Sequence, residues 1–422
     1  MLLLKRIFCR HEKVISPGVK YWVVLMHITL MSTVFYSCSD SKLPLHSIDN
    51  KTGFISWNID KVSENRELLL SQVSEKSEVL IIPTDKLAPL LSSNINEIIV
   101  SDNFILIIPG NATKAAPLLF SREGDFITSC RAANKTYRIL NAIIDDRDNT
   151  IYFLTAGIHW FSYHIPDNKV TELPQLDGVT SLVMVDRNSF LFTSTRASRN
   201  WVHSGSLYSQ HPKEMPGQSN NNLFNYMCTH KLIKMNNSIM LQFFSLNDTI
   251  YRYDPAKDLF YPVVGFFPES KRIEIPENVD DNPEALDMAA REVYNREKLI
   301  SKMVVLHCNN SYLLNIMPSD RDEFFFFEES TGEAYKTDNL TDDLRGGISI
   351  DFQNLFHYPR NWGFNGNSDY LVYWFSKIAL EKRLSGQVIN NATDNDNLQS
   401  LNELLNPCDS SSLVVFINKL RK

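Results

Sequence analysis

Short apolar runs alternate with tight polar turns along most of this chain, and one phrase recurs. At Asp145–Leu154, DDRDNTIYFL, an apolar strand runs into a polar turn and a second strand leaves from Asn149-Thr150. Variants stand at SDNFILII from Ser101, DRNSFLFTS from Asp186, NNSIMLQFF from Asn236, NNSYLLNIM from Asn309 and GNSDYLVYW from Gly366. Asn and Asp tolerate left-handed backbone angles and bond to nearby amides, so they suit hairpin tips. The first strands are EIIV at 97–100, NAII at 141–144, SLVMV at 181–185, HKLIKM at 230–235 and KMVVLH at 302–307, with the sixth placed within 353–357. Six like hairpins are the expectation.

A further strand usually follows each pair. It is seen in PLLFSREGDFI from Pro117, HWFSYHIPDNKV from His159, DTIYRYDPAKDLFYPV from Asp248 and EFFFFEESTGEAYK from Glu323, each with a turn of its own. Four strands per repeat is the pattern of a propeller blade. The turn residues Asn103, Asn149, Asn188, Asn237, Asn310 and Asn367 are separated by 46, 39, 49, 73 and 57 residues. The first three intervals match a blade of about 40–50 residues. The longest holds an insertion: residues 276–300 switch to helical periodicity, with Leu286, Ala289, Val293 and Leu299 apolar among charges. Short helices are expected at 377–384 and 397–405, then a final strand at 412–420 that closes the ring by completing the first or last blade. The fold class is therefore an all-β, six-bladed β-propeller with a helical insertion and short C-terminal helices. A β-sandwich beside a helical domain is the alternative, but it does not require six like hairpins.

The N-terminus has a different character. Lys5, Arg6, Arg10, Lys13 and Lys20 precede a seventeen-residue apolar run, Tyr21–Ser37, which His27, Thr29, Ser32 and Thr33 interrupt. That is short for a membrane span of about 20 apolar residues and suits the core of an export signal. Ser37-Cys38 followed by Ser39-Asp40-Ser41 resembles a bacterial lipobox of the Bacteroidetes type, in which the Cys becomes the lipidated first residue; a signal-anchor helix is the competing assignment. The expected organisation is a lipoprotein signal peptide at 1–37, lipid attachment at Cys38, a polar tether at 38–53 and a propeller at 54–422. Loss of 1–37 removes a net +4 and takes the formal charge from −7 to −11. An acidic body offers no basic face to nucleic acid.

Several segments together resemble the six-bladed propeller lipoproteins of Bacteroidetes, related in architecture to NHL and TolB-like propellers. They are LLLSQVSEKSEVLIIPT near 68, PLLFSREGDFI at 117, NDTIYRYD at 247–254, TDDLRGGISIDF at 341–352 and NPCDSSSLVVFINKLRK at the end. Where that family often carries a glycine-rich GxGPxE-like run, residues 129–140 hold no Gly. The resemblance implies a fold and an outer-membrane location more than an activity.

Candidate chemistry is sparse. Cys130, Cys228, Cys308 and Cys408 form no CxxC pair, so no zinc or redox signature is present, and their places beside apolar strands suit buried thiols, with disulfides formed after export as the alternative. Val202–Ser206 lacks the first Gly of a nucleophile elbow, no HExxH occurs, and Asp394–Asn397 lacks the Gly and later ligands of a calcium loop and reads as a solvated polar loop. Arg196–His203, RASRNWVH, reads as a loop that collects Arg196, Arg199, Trp201 and His203, and whose Trp stacks on a sugar or holds an anion with the guanidinium groups, or else packs between blades. Phe324–Phe327 reads as core, and Gly346-Gly347 as a turn. No catalytic, metal or cofactor residue is assigned. The functional expectation is a lipid-anchored envelope scaffold that binds a protein or glycan at the channel mouth or the inserted helix. The alternative is a lactonase-like propeller hydrolase or lyase, which requires three convergent acidic, His or Asn groups or a metal.

Overall fold

Strand after strand is buried on both faces, and this follows from where each sheet sits. In Thr150–Thr155, Ile151 and Phe153 pack toward Ile99, Leu106 and Leu119, while Tyr152 and Leu154 pack toward Leu182, Phe190 and Phe192. Alternate side chains point to opposite faces of a strand, so a strand between two neighbouring sheets must be apolar throughout.

The computed structural model describes residues 45–422 except 50, 84, 86–94, 111–115, 132–138, 156–158, 175–178, 188, 197–198, 207, 229, 236–237, 244–245, 268–273, 297–300, 318–322, 346, 353–361, 364–368 and 386–391. His46–Lys422 form one compact unit, a β-propeller of seven blades. Blades 1, 2, 3 and 5 are four-stranded antiparallel sheets in chain order, starting at Ile95–Val100, Ile139–Asp145, Val179–Met184 and Ser301–Cys308. Blade 4 starts at His230–Met235 and ends at Leu259–Phe267. Two N-terminal strands, Ile55–Asn58 and His46–Ile48, extend its outer edge. The latter strand falls within the stretch expected as a tether.

The expected count of six is therefore corrected to seven. The sixth blade, Asn339–Asp342 with Ile348–Asp351, contributes only two four-residue strands, and its third strand, Leu68–Leu69, joins in parallel from the other end of the chain. Its turn uses Gly347 at φ +72 and has no Asn, so neither the strand number nor the turn chemistry marks it as a repeat. The hairpin expected to be sixth belongs to blade 7, as Trp362–Gly363 with Tyr370–Ser376; its first strand, expected within 353–357, lies outside the described residues there.

Turn chemistry follows the expectation at Asn149 and Asn310 but not at Asn103, which has no positive φ. Asn149 and Asn310 take φ +46 and +58, and Ser101 closes the first hairpin by donating its N–H to the Phe104 carbonyl at 2.9 Å. Asn188, Asn237 and Asn367 lie outside the described residues. A second repeated turn joins the outer two strands, with Gly124, Asn168, Asp258 and Gly332 at positive φ in blades 1, 2, 4 and 5. The helix Pro283–Arg296 stands where helical periodicity appears and packs Leu286, Ala290 and Val293 on Leu223 and Met227 of the helix Asn222–Met227. Lys377–Leu384 and Ala392–Leu405 are helices, and Leu413–Leu420 is the last strand. Phe324–Phe327 bury both faces: Phe327 meets Trp57 and Phe266, and Phe324 stacks on Phe352 at 4.7 Å.

The N-terminal segment runs past four blades. After the blade 4 edge, Asn65 bridges Lys336 of blade 5, Leu68–Leu69 join blade 6, and Ser74–Ile82 forms the outer strand of blade 7. Leu413–Leu420 lies between Ser74–Ile82 and Tyr370–Ser376 in that blade, so both ends of the chain close the ring. At the blade 6–7 boundary, fully buried Asp342 accepts from the Tyr373 hydroxyl and from the Leu344 N–H. Burial pushes its carboxyl up to about 6 despite those hydrogen bonds. A raised carboxyl favours the fold below its unfolded value and loses that benefit as pH rises through about 6. Asp342→Asn removes the charge, keeps one acceptor oxygen for the Leu344 N–H and turns an amide N–H toward the Tyr373 hydroxyl, which can accept it. It is expected to stabilise the protein at pH 7.5 by up to about 3 kcal/mol, with little gain at pH 4; equal effects at both pH values in denaturant melts would refute this.

Candidate functional site

The turns between the first two strands of each blade lie on one face of the ring, and their side chains join neighbouring blades. Asp residues appear there because a carboxylate satisfies free turn amides; Arg147 donates to Asp145 through its backbone N–H at 3.2 Å and its Nε at 2.8 Å. From blade 1, the Ser101 hydroxyl donates to Asp146 at 2.7 Å and the Asp102 N–H at 2.9 Å. Burial raises the Asp146 carboxyl against these bonds. Arg187 of blade 3 grips Asp148 at 2.6 and 3.1 Å. Tyr370 of blade 7 donates to Asp102 at 2.7 Å, and its hydroxyl is raised by burial and by that carboxylate.

Lys234, on the first strand of blade 4, reaches into this face. Its ammonium donates to the Met184 carbonyl at 2.9 Å. Burial lowers its pKa; the carboxylates of Asp369, Asp145 and Asp186 oppose that shift, and Arg147 adds to it. Charges from blades 2, 3 and 7 thus act on one half-buried amine of blade 4. First strands of consecutive blades are neighbours around the central channel, which makes this cluster a charged mouth. Asp102, Asp145, Asp146, Asp148, Asp186 and Asp369 stand there against Arg147, Arg187 and Lys234.

The other ends of the same strands carry a neutral network. Thr180 contacts His230 Nε2 at 3.1 Å and Thr193 at 2.9 Å, Thr193 meets Ser181 at 2.5 Å, and Ser194 contacts His203 Nε2 at 2.9 Å. Burial pushes His230 down to about 4 and lowers His203. The RASRNWVH stretch belongs here and is not a free loop. Phe190–Arg196 and Arg199–Gly205 pair directly, with Ser194 opposite Trp201, and Trp201 opposite Glu214 of the next strand. Trp201 is half-buried, while Asn200 is buried and donates to the Asn225 carbonyl at 3.0 Å. The strand pairing follows from the β-branched and aromatic residues on both sides of the turn.

Other sequence candidates fall as follows. Cys38 and the leader lie outside the described residues. Cys130, Cys228 and Cys308 are buried thiols outside any disulfide, pushed up to about 12 by burial, and Cys408 is a partly exposed thiol outside any disulfide. Val202–Gly205 lie in a strand, and Asp394–Asn397 lie in the helix Ala392–Leu405 instead of the polar loop expected there. Among the described residues no three His, Cys, Asp or Glu side chains converge as metal ligands, and no helix is long and apolar enough to cross a membrane.

Two clefts between blades escape sequence reasoning. One, of about 210 Å³ between blades 3 and 4, is lined by Ser204, Lys213, Tyr253 and Asp258. Burial opposes ionisation of Asp258, but hydrogen bonds from Lys213 and Tyr253 outweigh it and lower the carboxyl. The other, of about 250 Å³ at the seam of blades 7 and 1, holds Lys76, Glu78, Arg122 and Tyr370, with Arg122 donating to Glu78 at 2.6 Å. The repeated outer turn that places Asp258 is the one signal that pointed to either.

No family model and no curated protein matches this chain. Among solved structures it is similar to a putative exported protein of Bacteroides fragilis, with 15% identity and a TM-score of 0.54 over 86% of this chain and 99% of that one. An auxiliary nutrient binding protein of Bacteroides thetaiotaomicron aligns with 10% identity and a TM-score of 0.33, over 60% of this chain and 65% of that one. The first similarity shows the shared propeller fold.

Proposed function

We propose that this protein is an exported, lipid-anchored binding propeller of the cell envelope that receives its ligand at the charged mouth. The observation that carries the reading is Lys234, a half-buried amine within the fields of Asp145, Asp186 and Asp369 from three other blades. Export and lipid attachment draw on the basic leader, the apolar run and Cys38. The exported protein of B. fragilis with the same fold supports the compartment. Six carboxylates against three cations favour an amine-bearing ligand, such as an amino sugar or a basic segment of a partner protein, and disfavour acidic polymers.

Two experiments test the two halves. Calorimetric titration of the chain from Ser39 with glucosamine, N-acetylglucosamine and galacturonate oligomers is expected to favour the amine form. Asp186→Asn with Asp369→Asn should weaken that binding about tenfold, and added salt should weaken it further. Equal binding of all three oligomers, or of none, would remove the mouth from the proposal. For the anchor, Cys38→Ala is expected to move the protein from the membrane to the soluble fraction; unchanged retention would count against lipidation.

A further inference from the structure

We infer that the outer edge of blade 4 rests on the lipid surface, so that the ring stands on its rim and both channel mouths open sideways. The inference depends on the lipid at Cys38 proposed above. It adds an orientation, which lipidation alone does not fix.

Where the folded chain begins is the first argument. His46–Ile48 is the outermost strand of the blade 4 sheet, beyond Ile55–Asn58 and Leu259–Phe267. Cys38 stands eight residues before His46, and eight residues span at most about 29 Å when fully extended. The chain therefore leaves the propeller at the rim, on the side of the ring away from the blade 7–1 seam, and the tether is short.

The surface at that edge is the second argument. Of the eleven exposed large apolar side chains among the described residues, four lie on the outer three strands of this sheet: Ile48 at 51% on the edge strand itself, and Leu259 at 43%, Tyr261 at 38% and Phe267 at 36% on the third strand in from the edge. Polar residues would normally blunt a sheet edge that faces only water. Here the last strands carry aliphatic and aromatic groups, and Tyr and Phe suit the boundary between headgroups and acyl chains. The exposed edge beside the tether adds a contact of its own to that of the lipid on Cys38.

The test uses the full-length lipidated protein in vesicles of phosphatidylethanolamine and phosphatidylglycerol, with and without brominated acyl chains. A bimane is placed in turn at Ile48→Cys, Tyr261→Cys, Ile127→Cys and Ile378→Cys, in a Cys408→Ser background. Quenching at positions 48 and 261 is expected to exceed that at 127 and 378 by about twofold or more, as burial within 5–10 Å of the headgroup boundary requires. Uniform quenching, or stronger quenching at 127 or 378, would overturn the orientation while leaving the anchor intact. Intermolecular crosslinking through position 48 or 261 without quenching would assign the edge to a second copy and overturn it equally. Mass spectrometry of the same preparation separates the two failures: an unlipidated Cys38 defeats the anchor, and the orientation falls with it.

Discussion

Deleting Leu413–Leu420 is expected to abolish the cooperative fold. This strand is one of the two interior members of blade 7, paired along seven positions with Tyr370–Ser376 and along eight with Ser74–Ile82. Every side chain in it except Lys419 is buried. Its loss would leave two neighbouring strands with open ladders and would expose Tyr373 and Phe375, an edge that invites aggregation. A gentler variant makes the effect measurable: Phe416 is fully buried and stacked on Tyr373 at 4.7 Å. Phe416→Ala is expected to cost about 3–5 kcal/mol, read as a lower denaturant midpoint at unchanged slope. A truncated chain that keeps the wild-type midpoint would show that the ring is not closed there.

Acid should weaken the propeller through its buried histidines. His230 and His307 are buried and both are pushed down to about 4, in each case by burial first, with the nearby Arg252 charge adding to the effect at His307. In the unfolded chain a histidine titrates near 6.5. The unfolded state therefore takes up protons first, and stability present above pH 6.5 is lost as pH falls toward about 4. Each ring accounts for up to about 3 kcal/mol over that window. Asp342 titrates in the opposite sense and offsets part of the loss. His307 packs against Tyr312 with ring centroids 4.7 Å apart and planes tilted by 39°, and neither ring nitrogen has a hydrogen-bond partner among the described residues. His307→Phe should therefore keep the ring contact, raise the midpoint at pH 5 and flatten the dependence between pH 7 and 4.5. A wild-type midpoint that does not move over that range would refute the account.

These two results depend on features that differ in how visible they are in the chain. The terminal strand is legible from Leu413–Leu420 because it is locally apolar and follows an Asn-Pro turn. The environments of His230 and His307 are not, since their burial comes from neighbouring strands and blades. The expected Trp201 loop errs for a related reason: RASRNWVH is polar enough to suggest a loop, but pairing with Phe190–Arg196 and Gln210–Glu214 makes it a central strand.

By itself the sequence determined the repeat, its turn chemistry and the elements around it. Those are local properties: Asn149 and Asn310 adopt left-handed angles because of their own side chains, and Pro283–Arg296 is helical because of its own periodicity. The number of blades and the site were decided only in three dimensions. Blade 6 needs Leu68–Leu69 from the far end of the chain, and Lys234 meets Asp145, Asp186 and Asp369 only once the ring has closed. Pairing and charge proximity between distant segments follow from tertiary packing, and no local pattern of polar and apolar positions encodes them.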